Sequence, residues 1–168
     1  MTTVVRIRPA VPGDSGALGR IAHAAKAHWG YSAAQLEHWR DDLTVSAESI
    51  RRSPTVVAEI DGAPVGVLQI DDDATPWSLE HLWVDPPHMR RGVGRALLAR
   101  AVELAATAGQ MVLAIDADPN AEPFYLAAGA RRVGEVAAPM DGAPTRVRPQ
   151  LELALKGRAS ARPPDEPS

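Results

Sequence analysis

The stretch from Trp77 to Ala108 constrains the fold most. A mostly apolar strand, Leu79-Glu80-His81-Leu82-Trp83-Val84, runs into Asp85-Pro86-Pro87-His88. Met89-Arg90-Arg91-Gly92-Val93-Gly94-Arg95 follows, and then a helix rich in alanine and leucine. A strand that ends in a glycine-containing loop opening a helix is a ready anion site. Backbone N–H groups point out of the loop, and the aligned peptide dipoles add partial positive charge. The segment predicts a phosphate-bearing ligand. With a net charge of −3, the chain has no basic field for nucleic acid or an acidic membrane surface. Arg90, Arg91 and Arg95 form a local positive patch on a mildly acidic protein, which suits a small anion.

At 168 residues, 45% apolar and 23% charged, the chain has the size and composition of one globular domain with a real core. Periodicity divides it further. Val4–Arg8 reads as a first strand, and Leu18, Ile21, Ala22 and Ala25 recur at helical spacing. Ser32 with Gln35 three residues on predicts a capped helix through Leu36 and Trp39, and Ser46–Arg51 a further turn. Thr55–Ile60, the turn Asp61-Gly62 and Pro64–Ile70 read as a hairpin. The strand Leu79–Val84 and a helix over Val93–Ala108, ended by Gly109, come next. Met111–Ile115 is a buried-type strand, Ala121–Ala128 a short helix, and Arg131–Val136 and Leu151–Leu155 are two last strands. This order predicts an α/β fold with a mixed central sheet and flanking helices. We expect one domain over residues 1–156 and a disordered tail over 157–168, which is rich in proline and charge. No stretch has the length and apolarity of a membrane span, and no signal peptide is read at Met1–Arg8. A cytoplasmic protein is expected.

Absence of cysteine rules out disulfides, thiolate metal ligands and a cysteine nucleophile. No metal site is expected either: His23 and His28 have no carboxylate one turn away. His38 has Asp41 and Asp42 near it but no second histidine.

Three ligands compete for the glycine loop. An ATP-type phosphate loop needs a lysine and a hydroxyl after its last glycine, and here Arg95, Ala96 and Leu97 follow. A dinucleotide loop would use Gly92, Gly94 and a ribose-binding acid near Asp116. Its third glycine position, however, is Leu97, and the turn from Val84 to Gly92 is long and carries two prolines. The third ligand is coenzyme A. Here the chain resembles the GNAT acetyltransferase superfamily through Leu82-Trp83-Val84-Asp85-Pro86, through Arg91-Gly92-Val93-Gly94-Arg95-Ala96-Leu97-Leu98, and through Asp118-Pro119-Asn120 with Phe124-Tyr125 and Gly129. The resemblance extends from Val4 to Leu155. It departs at Met89, where the family pattern has glutamine or arginine, and at Arg90, often a glycine. Both anchoring glycines are kept.

The resemblance implies acetyl-CoA as co-substrate, held by Leu82, Trp83 and Val84 and by Met89, Arg90, Arg91, Gly92, Val93, Gly94 and Arg95. It also implies a GNAT-like acyl-CoA acyltransferase fold in which the strand carrying Leu82, Trp83 and Val84 splays from the next. Transfer from a thioester to an amine needs the two held together, a proton taken from the amine and a proton given to the sulfur. Tyr125 stands where many members of the family keep a tyrosine acid, and a phenol of pKa ~10 is protonated at neutral pH. The competing reading is an aromatic pair with Phe124. Glu80 is the base candidate, against a surface or ion-paired glutamate. Strand alternation sends His81 to the opposite face unless a bulge intervenes. Asn120 either caps the short helix or bonds the pantetheine arm. His28, Trp29 and Tyr31 either wall the acceptor pocket or pack between helices. The expected activity is direct N-acetylation of an amine, foremost a small molecule, in a ternary complex, by a chain whose edge strands allow a homodimer. The competing class is a non-catalytic acyl-CoA-binding module.

Overall fold

A computed structural model describes residues 3–156; the expected tail, 157–168, lies outside them. The elements are β1 (Arg6–Pro9), α1 (Ser15–His28), α2 (Ala33–His38), α3 (Ala47–Arg52), β2 (Thr55–Ile60), β3 (Ala63–Asp71), β4 (Ser78–Val84), α4 (Val93–Thr107), β5 (Val112–Asp116), α5 (Glu122–Ala127), β6 (Arg131–Ala137) and β7 (Val147–Ala154). The strands form one mixed sheet in the order β1-β2-β3-β4-β5-β7-β6. Among the described residues, only β4 and β5 run parallel.

Local chemistry explains most of these elements. Asp61 and Gly62 both adopt positive φ, 52° and 78°, as a tight hairpin turn with right-handed strand twist requires. The Ser32 and Ser46 hydroxyls accept the N–H of Gln35 and Ser49 and so start α2 and α3. Leu18, Ile21, Ala22 and Ala25 are the buried stripe of α1. Among the described residues, no helix is long and apolar enough to cross a membrane.

Two apolar layers sandwich the sheet. On one face α4 supplies Val93, Leu97, Leu98, Ala101 and Ala105 to a core that also takes in Leu79, Leu113 and Tyr125. On the other, Leu18 and Ile21 of α1 and Ile50 of α3 pack on Val57 and Val67. The strand β7 begins at Val147, four residues before the expected start. The prolines and glycine between Val136 and Leu151 give that stretch the pattern of a loop. Pro149 is tolerated because its carbonyl meets Ala117 just past the end of β5, where an N–H would have little ladder left to join.

Candidate active site

The parallel pair β4 and β5 is held only at Ser78 with Ala114 and Leu79 with Ile115. Beyond Leu79 the strands part, so β4 has β3 on one side and no strand on the other. A crevice of about 780 Å³ fills this wedge. Leu82, Trp83 and Val84 line it.

The glycine loop forms one end. Gly92 is the residue before the first turn of α4 and has φ 82°, a conformation open to glycine at little cost. The first helical bond runs from the Ala96 N–H to the Gly92 carbonyl, so the N–H groups of Val93, Gly94 and Arg95 lack helical partners. At Gly94 a Cβ would lie 3.4 Å from the ring of Phe124, the neighbour of Tyr125. Met89, Arg90, Gly92, Gly94 and Arg95 line the crevice; the Arg91 side chain does not. Val93 faces away from the crevice. Its side chain is buried against Gly66 of β3, so only its backbone can serve an anion. Arg90 is held at φ 62°, a left-handed conformation that explains why glycine suits this position.

Glu80 and Tyr125 line the same crevice from β4 and α5. In the β3–β4 ladder Ile70 faces Leu79 and Gln69 faces His81, so Glu80 is an extra residue, a β-bulge. The bulge breaks alternation. Leu79 turns into the α4 core, while His81 lies buried on the α1 side and outside the crevice. There its Nδ1 accepts a 2.9 Å bond from the Trp83 indole, and burial lowers its pKa to about 4. Glu80 remains open to solvent. Partial desolvation and then the charges of Asp71, Asp116 and Asp42 raise its pKa above the ordinary 4.5. Tyr125 is 6% exposed, and burial, reinforced by the charge of Asp118, pushes its hydroxyl well above 10. It is a protonated donor at any physiological pH. Its ring also packs edge-on against Phe124, 5.2 Å between centroids, so the aromatic-pair reading and the acid reading describe one side chain.

At the other end, His28 and Trp29 line the crevice at the close of α1. Tyr31 does not. Its hydroxyl donates to Asp118 at 2.8 Å and its ring packs edge-on against Trp39. Asn120 caps nothing: α5 has no side-chain cap. The Asn120 amide nitrogen donates to Asp118 and to Tyr31, at 2.9 and 3.2 Å, while the residue still lines the crevice. The Asp118 side chain is 7% exposed. Desolvation opposes its charge, but Lys26 wins and holds the carboxyl below the usual range. Asp116, the acid a dinucleotide would need, is forked by Arg148 at 2.8 and 3.0 Å and bonded by Gln150. It is committed to β7 instead of a ribose. Among the described residues, no group of three histidines and carboxylates is arranged to hold a metal.

A model of the GNAT acetyltransferase domain matches residues 22–141. The chain is 32% identical over 129 residues to an uncharacterised N-acetyltransferase, YafP, of Escherichia coli K12, covering 72% of this chain and 77% of that protein. The chain belongs to the GNAT acetyltransferase family. Its fold matches a GCN5-related N-acetyltransferase from Rhodopseudomonas palustris, with TM-score 0.78 and 24% identity over 92% of this chain and 98% of that one. It also matches the PaiA N-acetyltransferase of Thermoplasma acidophilum, in complex with coenzyme A, with TM-score 0.68 and 18% identity over 90% and 99%. At these identities the likeness is one of fold. The sequence of this GNAT enzyme places Asp118 in a family motif but gives Asp118, Lys26, Trp39 and Arg146 no part in the site. Each looks ordinary where it stands, and only the folded chain brings them together.

Proposed function

We propose that the enzyme transfers an acetyl group from acetyl-CoA to a small-molecule amine, directly, with both substrates bound. The observation that carries this reading is the wedge between β4 and β5, with Glu80 and Tyr125 in one crevice that ends at unpartnered N–H groups of α4. The residues present fit coenzyme A. The first turn of α4, with Arg90 and Arg95, suits a pyrophosphate. The partnerless edge of β4 past Leu79 suits the amide-rich arm, which would lie along it like an added strand. PaiA, of the same fold, holds coenzyme A.

Bound acetyl-CoA supplies the thioester; the reaction forms a nitrogen–carbon bond and breaks a carbon–sulfur bond. Glu80 takes the amine proton, directly or through water. Tyr125 gives a proton to the departing sulfur. His28 and Trp29 face the acceptor, and the absence of cysteine leaves no thiol for an acyl-enzyme. A protein N-terminus or lysine is the second acceptor class.

Release of free thiol, measured over a panel of amines, tests the reading. Tyr125→Phe should lower kcat by about two to four powers of ten, with the KM for acetyl-CoA nearly unchanged. A wild-type protein that binds acetyl-CoA and releases no thiol with any amine would make this a binding module. Undiminished turnover in Tyr125→Phe would remove the acid role.

A further inference from the structure

The acceptor wall and the proton donor reach the crevice from different faces of the sheet. His28 and Trp29 close α1 on one face, and Tyr125 belongs to the core under α4 on the other. One carboxylate connects the two. Its Oδ2 accepts the Lys26 ammonium of α1 and the Tyr31 hydroxyl, and lies 3.7 Å from Arg146. Its Oδ1 accepts the backbone N–H and the amide nitrogen of Asn120, at 2.8 and 2.9 Å, in the loop that launches α5.

We propose that Asp118 is a positioning residue of the transfer site: one oxygen holds the acceptor-side helix, the other holds the loop leading to Tyr125, and the two walls stay in register. This rests on the transfer reading above. The surroundings are built around that junction. The Lys26 ammonium sits 4.5 Å over Trp39, 5.0 Å over Tyr31 and 5.9 Å over Trp83, and Trp83 lines the crevice. The Arg146 guanidinium packs on the same Tyr31 and Trp39 rings, at 5.6 and 5.5 Å. Two cations share one buried anion, and apolar packing would fill such a space at less desolvation cost. The charge of Asp118 also reaches Tyr125 and adds to the raised pKa of its hydroxyl. The hydrogen bonds and ion pairs of Asp118 go to Lys26, Tyr31, Asn120 and Arg146 and not to the glycine loop, so nucleotide binding is a separate quantity.

Lys26→Met keeps the stem and removes the charge. It should lower kcat roughly tenfold and raise the acceptor KM severalfold, with the KM for acetyl-CoA within about twofold. In hydrogen exchange, the amides of Ala25–Trp29 and of Phe124–Ala128 should both exchange about fivefold faster, with the first turn of α4 unchanged. Should Lys26→Met fail to fold, Tyr31→Phe removes one hydroxyl from the same oxygen and carries the same measurements with smaller effects. Lower stability with unchanged kinetic constants, equal changes in both KM values, or faster exchange in one segment alone would overturn the proposal. If the wild type acetylates no amine, the transfer reading falls, and exchange by itself decides whether Asp118 couples the two walls.

Discussion

Solvent reaches the Glu80 carboxylate, yet protein on one side and three aspartates around it hold its proton more tightly than an isolated glutamate would. In the proposed role of base Glu80 works deprotonated, so a raised pKa moves the acid limb of the kcat/KM profile above pH 4.5. Glu80→Gln should abolish that limb and lower the rate at pH 7 by roughly a hundredfold, with recovery as the amine loses its own proton at higher pH. The folded state binds this proton more readily than the unfolded one, so the ionised group opposes folding as pH rises through its pKa. The substitution should therefore leave Tm at pH 7 equal or higher. His81 has the opposite sign. Its pKa falls to about 4 from 6.5, so between those values the unfolded chain takes a proton that the folded one refuses. Stability is full above pH 6.5 and should fall by about 3 kcal/mol as the pH drops to 4. Urea titrations across this range should show a flatter slope for His81→Gln.

Among the elements, α4 and β3 meet where Gly66 has no side chain. A Cβ there would lie 2.9 Å from Leu97, 3.0 Å from Val93 and 3.2 Å from the Trp83 carbonyl. The close helix–strand contact that a dinucleotide fold obtains from a third loop glycine is obtained here from a strand glycine, with Leu97 as the partner. Gly66→Ala should cost about 1–3 kcal/mol in urea unfolding and weaken acetyl-CoA binding, because Val93 opens the helix that carries the anion site. The extra residue at Glu80 shows the limit of pattern reading. Alternation along Leu79–Val84 is legible, but which residue a bulge sets aside depends on the register of β3, another strand. The capping alternative for Asn120 fails for a similar reason. A polar residue just before a helix is a natural cap, but Asp118 sits two residues earlier and takes its amide first.

At the scale of the whole molecule, the ligand should stabilise what it binds. Acetyl-CoA at a hundred times its Kd should add about 2.7 kcal/mol and raise Tm, and NAD should not, since Asp116 is held by Arg148 and Gln150. A shift with NAD alone would overturn the ligand assignment. The sequence by itself determined the order of strands and helices, the hairpin turn at Asp61-Gly62, the buried stripe of α1, the glycine loop before α4 and the family resemblance. These follow from torsional preference and burial period, which act within a few neighbouring residues. Tertiary structure alone decided that the splay of β4 from β5 begins after Leu79, that Val93 turns into the core, and that Tyr31 bonds Asp118 outside the crevice. Lys26 and Asp118 are 92 residues apart, and Tyr31 and Arg146 are 115. No local preference relates such pairs. They meet because α1 packs across β3 and β4, and β5 is the next strand in the sheet, so the carboxylate that follows β5 takes whichever cations and donors the fold delivers.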